Sequence, residues 1–81
     1  MYQLKKWLNL HGYKFEQVKW QKDGKTFPAV IVDCAKEKNG TVVGVNWALF
    51  NTLMKRVHKN NKLKYALCGF YYGEHVRVWE E

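Results

Sequence analysis

The first apolar residues fall at Leu4, Trp7 and Leu8, a spacing that sets them on one side of a helix and turns Lys5, Lys6 and Asn9 away. A helix over residues 2 to 11 is predicted, and Gly12 supplies the left-handed stop on which such helices commonly end. The period then changes to two. From Tyr13 to Lys22 the residues alternate, but Tyr13 and Phe15 lie in one phase and Val18 and Trp20 in the other, which implies a bulge near Glu16 or Gln17. Asp23-Gly24 is the dipeptide of a two-residue type I′ hairpin, and that register sets Trp20 opposite Phe27 and Val18 opposite Ala29. The run from Phe27 to Ala35 is apolar on both sides apart from Asp33, the pattern of a central strand covered on two sides.

Asn39-Gly40 predicts a second hairpin, in which Val45 falls opposite Cys34 and Gly44 marks a bulge or a close backbone approach. The third strand then ends before reaching Pro28, so the missing N–H breaks no ladder. Asn46 is a suitable N-cap for a second helix that turns Phe50, Leu53, Met54 and Val57 inward and Thr52, Lys55, Arg56 and Lys59 outward. Asn60-Asn61 ends it, and Leu63 to Tyr72 and His75 to Trp79 read as two strands around a turn at Gly73-Glu74. The prediction is a single α+β domain over residues 1–81, of order α-β-β-β-α-β-β, with a mainly antiparallel sheet packed against two helices.

A chain of 81 residues has room for one hydrophobic core. Apolar runs are interrupted well short of the roughly 20 residues that a membrane span requires, and residues 1 to 12 lack the apolar stretch of a secretory signal. A soluble, cytoplasmic protein is expected. Cys34 and Cys68 both sit in apolar runs, where reduced core thiols are expected in that compartment.

Charge changes the picture more than composition does. The net charge is +7, yet no Asp or Glu occurs between Lys38 and Gly73, where Lys38, Lys55, Arg56, Lys59, Lys62 and Lys64 contribute six positive charges. The rest of the chain holds eight basic and seven acidic residues and is close to neutral. Such asymmetry is expected of a face that meets a polyanion.

Motifs for catalysis and cofactors are missing. His11, His58, His75, Cys34 and Cys68 are far apart, without the close ligand pairs of a zinc site, so no metal is expected. Gly40 and Gly44 form no phosphate-cradling loop, and no cofactor is implied. Three strands, a helix and a further strand is also the order of the restriction-endonuclease-like core. Here, however, Asp33, Lys36, Glu37 and Lys38 do not give that family's D…(D/E)-x-K pattern, and a hairpin at Asn39-Gly40 puts Glu37 at an exposed tip. Enzymatic activity is not expected. The first five predicted elements are similar in order to double-stranded-RNA-binding domains and to the small HicA-type RNase toxins, and Leu4-x-x-Trp7-Leu8-x-x-x-Gly12-Tyr13 resembles the start of the latter. The toxins' Ser-His pair after the first strand and the RNA binders' Lys-Lys helix start are absent, and the last hairpin is additional, so the likeness is one of element order alone.

Binding remains. Lys55, Arg56 and Lys59 form one stripe that Lys62 and Lys64 extend, with Arg56 able to grip a phosphate through two parallel hydrogen bonds. About five or six such contacts predict a slope near −5 for log affinity against log salt on duplex DNA. Tyr71 and Tyr72 are adjacent, so in a strand they face opposite sides and one is available to stack on a base. The expected partner is DNA or RNA. The alternative is an acidic protein surface, met by a small inhibitor or modulator of the kind that mobile elements encode, and steered by the same charge.

Overall fold

The computed structural model describes residues 1–68 and 74–81. Its elements are α1 (Tyr2–Leu10), β1 (Lys14–Lys22), β2 (Lys25–Asp33), β3 (Ala35–Lys38), β4 (Thr41–Val45), α2 (Trp47–His58), β5 (Leu63–Cys68) and β6 (His75–Glu80). The class is α+β. Four antiparallel strands in the order β1-β2-β6-β5 form the main sheet, and β3 with β4 forms a separate ribbon. One strand more lies between the helices than the hydrophobic pattern predicts.

The additional strand arises where the long second strand breaks at Cys34. The Asp33 carboxylate accepts the N–H of Ala35 at 2.8 Å and turns the chain. The Cys34 N–H then donates to the carbonyl of Glu74 at 2.8 Å, and its carbonyl accepts from Asn46 N–H at 2.8 Å. Both partners come from distant positions, so the strand leaves the sheet without stranding a backbone group. The neighbour of β2 is consequently β6 and not the third strand, with Val30 opposite Val78 and Val32 opposite Val76. The paired run stops at Ala29 opposite Trp79, so the ladder ends before Pro28 as required, against a different strand.

Both hairpins turn as Asp-Gly and Asn-Gly dictate. Asp23 and Gly24 have φ of 51° and 75°, and Asn39 and Gly40 of 53° and 79°, the positive pair that defines type I′. Trp20 faces Phe27 and Val18 faces Ala29, as predicted. The second ribbon departs by one residue: Val45 pairs with Ala35 rather than Cys34, because the register shifts between Lys36 and Glu37, next to Gly44. No bulge interrupts β1, whose pairing with β2 is continuous from Lys14 to Lys22. The change of phase instead distributes apolar residues to two faces, Phe15 toward the helices and Val18 and Trp20 away from them.

On the helix side, Val30, Val32, Val76 and Val78 meet Leu4 and Leu8 of α1 and Leu53, Met54 and Val57 of α2. Fully burying each such side chain contributes about 1.5–3 kcal/mol of transfer free energy. Asn46 caps α2 through its side-chain oxygen, which accepts from Leu49 N–H at 3.2 Å. The Tyr13 hydroxyl donates to the Leu49 carbonyl at 2.6 Å, tying α2 to the start of β1. Burial, with the nearby Cys34, holds that hydroxyl above its ordinary pKa. Burial and then Asp33 push the Cys34 thiol up to about 11, so it stays protonated near neutrality. Cys68 is half-buried rather than a core residue, and both cysteines are free thiols. Among the described residues no helix is long and apolar enough to cross a membrane.

Candidate functional site

Strand parity divides the basic residues between two faces of the sheet. On the face away from the helices, β6 presents Arg77 and Trp79, β1 presents Trp20 and Lys22, and β5 presents Lys64 opposite Trp79. Several of these groups pack against one another, although the buried Trp20 Nε1 has no hydrogen-bond partner among the described residues. The Arg77 guanidinium lies 4.0 Å from the Trp20 ring centre, Lys22 lies 5.5 Å from that of Trp79, and the two indoles are 5.8 Å apart. Trp79 Nε1 and Lys22 Nζ both donate to Glu81 at 3.2 Å. Those two bonds, with further charge from Lys22 and Lys64, hold the Glu81 carboxyl below its ordinary range. Lys64 Nζ also donates to the Asn61 carbonyl at 3.1 Å. This assembly closes the second side of the central strands, leaving Trp79 and Ala29 only 6% and 3% exposed. Side chains of the sheet itself, in place of a second layer, therefore provide the double cover inferred for β2.

The outer surface of α2 is different. Lys55 and Lys59, one turn apart, are exposed, and Arg56 beside them is half-buried. Their direction follows from the inward set: Leu53, Met54 and Val57 face the sheet, which leaves Lys55 and Lys59 pointing outward. Arg56 is turned toward α1 and lines a cleft with Met1, Gln3, Leu4 and Glu80. The Glu80 carboxylate in that cleft is taken by the Met1 ammonium at 3.0 Å. Among the described residues no carboxylate lies within ion-pair distance of Lys55, Arg56, Lys59 or Lys62.

Lys62 is held close to the helix end by its backbone. Its N–H donates to the Asn60 side chain at 3.0 Å, and its carbonyl accepts from Glu81 N–H at 2.8 Å. Four of the five basic residues picked out from the sequence, Lys55, Arg56, Lys59 and Lys62, thus belong to one end of α2. Lys64, by strand parity, belongs to the opposite face. Tyr71 and Tyr72 lie outside the described residues. His58 was missed by sequence reasoning; it is exposed in the last turn of α2, its ring 5.8 Å from that of Tyr65, which is 43% exposed. Its place three residues after Lys55 is the signal that would have found it.

Asp33 and Glu37, the carboxylates weighed for catalysis, do come near each other, lining a hollow of about 200 Å³ with Lys14 and Tyr13. Asp33 is engaged there by Ala35 N–H and lies 3.8 Å from His75 Nε2. Among the described residues no group of three His, Cys, Asp or Glu side chains is placed to hold a metal ion. Comparison with known proteins finds no match to a family model, to a curated protein or to a solved structure.

Proposed function

We propose that this chain is a non-catalytic nucleic-acid-binding domain whose contact surface is the outer, C-terminal half of α2. The observation that carries the reading is the contrast between the two faces. On the far sheet face Arg77 and Lys22 lie against indole rings and Lys22 also pairs with Glu81, whereas Lys55, Arg56, Lys59 and Lys62, gathered at one end of α2, have no carboxylate partner among the described residues. A concentration of positive charge of this kind attracts a polyanion and releases its counterions. Lys55 and Lys59 are separated by about 6 Å along the helix axis and act as point charges. Arg56, with its stem packed toward α1, offers a fork to one phosphate.

Such contacts fix position on a backbone and read no sequence. The test is fluorescence anisotropy with labelled DNA and RNA oligonucleotides at increasing salt. Four phosphate contacts predict that log affinity falls against log salt with a slope of about −4 on duplex DNA. This is shallower than five or six contacts would give, because Lys64 faces elsewhere. Absence of salt-sensitive binding to either nucleic acid contradicts the reading and leaves the same cations to an acidic protein surface.

A further inference from the structure

The half of the chain that is nearly neutral by composition builds a basic groove. Between α1 and the outer part of the β1–β2 hairpin lies a hollow of about 580 Å³, with Met1 and Lys5 on one wall and Gln17, Lys19, Thr26 and Pro28 beneath. It continues past Lys5 and Gln17, which line both spaces, into a second hollow of about 380 Å³ beside Tyr2, Lys6, Asn9 and Phe15. At the other end Met1 also lines the cleft that contains Arg56. The three hollows are therefore neighbours, the first sharing Met1 with the Arg56 cleft and Lys5 and Gln17 with the hollow beside α1.

No carboxylate lines either of the two larger hollows among the described residues. Glu16 points to the opposite face of β1 from Gln17 and Lys19, Asp23 sits in the hairpin turn, and Glu80 lies in the Arg56 cleft, where the Met1 ammonium takes it. Lys5 is oriented across the groove, its Nζ donating to Gln17 Oε1 at 3.1 Å. The amides of Gln17 and Asn9 and the hydroxyl of Thr26 can exchange hydrogen bonds with base edges. Tyr2, 70% exposed, offers a ring for stacking.

We infer that this groove receives unpaired nucleotides, so that the ligand is single-stranded nucleic acid, its backbone followed by Lys5, Lys6 and Lys19 and its bases lodged in the two hollows. The inference rests on the nucleic-acid reading of α2 and narrows it. A duplex keeps its bases stacked inside and offers phosphates alone, which satisfies α2 but leaves the hollows unfilled. Each hollow falls within the roughly 300–1,000 Å³ range of sites that enclose small molecules.

The test compares labelled oligo-dT and oligo-U of about 12 nucleotides with a DNA hairpin duplex of similar charge, by anisotropy at low salt. Wild type is expected to bind the single strands about tenfold or more tightly than the duplex. Lys5→Glu with Lys19→Glu is expected to lower single-strand affinity about tenfold or more while changing duplex affinity less than about threefold. Lys6→Glu with Lys19→Glu, both at exposed positions, gives the same readout should a charge at half-buried Lys5 disturb α1. Equal binding of single strand and duplex, or groove variants that bind single strands like wild type, overturns the inference and leaves the α2 reading standing. Failure of wild type to bind any of the three probes overturns both.

Discussion

Replacing Lys55, Arg56 and Lys59 together with alanine abolishes most nucleic-acid affinity, by on the order of a thousandfold on duplex DNA at about 50 mM salt. The magnitude follows from counterion release. Each phosphate contact contributes about 0.9 to the slope of log affinity against log salt, so the slope should flatten by nearly three, and the loss should shrink as salt rises. A purely structural effect of the substitutions has no such salt dependence. The fold tolerates the change, because Lys55 and Lys59 are exposed, none of the three residues has an ion-pair partner among the described residues, and alanine is the best helix former. Anisotropy at several salt concentrations measures both quantities, with a circular dichroism melt as the control for folding. An unchanged slope would separate the helix from the binding surface.

The second large effect concerns the platform that holds this surface. Leu53 is 0% exposed and packs among Leu4, Leu8, Val30, Val32, Val57, Val76 and Val78, where both helices meet the sheet. Leu53→Ala should cost about 2–5 kcal/mol through lost transfer free energy and the cavity left behind. A chain of this length has a total stability of only about 4–12 kcal/mol. Loss of about 3 kcal/mol lowers Tm by roughly 12–24 °C in so small a domain. Leu67→Ala is the matching control: Leu67 is 56% exposed at the sheet edge, and the change should stay within about 0.5 kcal/mol. At temperatures where Leu53→Ala remains folded, its affinity per folded molecule should equal that of wild type. Urea titration for stability and binding corrected for the folded fraction check the two halves of this prediction.

Features set by neighbouring residues are legible in the sequence. The Asp23-Gly24 turn fixes the Trp20–Phe27 register because Asp-Gly favours a two-residue type I′ turn, whose twist matches that of the flanking strands. Both helices follow from their apolar spacing, and the cap at Asn46 from its side-chain acceptor. What depends on distant residues is not legible. The break at Cys34 requires Glu74 and Asn46 to take its two backbone groups, and nothing near Cys34 announces either partner. The phase change between Phe15 and Val18 looks like a bulge because one strand alone does not reveal that both of its faces are covered, one by helices and the other by Trp79 and Arg77 across the sheet.

The candidate site follows the same division. The acid-free stretch holds Lys55, Arg56, Lys59 and Lys62, which one helix and the turn after it carry. Lys64 shares their stretch of sequence but not their side, because one step along a strand reverses direction. The groove under α1 is invisible in a charge count, since Lys5, Lys6 and Lys19 belong to a part of the chain whose basic and acidic residues nearly cancel, and only the fold brings these lysines together.

An amide chemical-shift titration of the full chain with a short single-stranded oligonucleotide tests the central claim most directly, because it reports every surface at once. The two basic regions on the helix side predict the largest shifts at Lys55 through Lys59 and Lys62, with a second set at Lys5, Lys6, Gln17 and Lys19, while Trp20, Arg77 and Trp79 stay quiet. Shifts concentrated on the Trp20–Arg77–Trp79 face, or none at all at low salt, would contradict it.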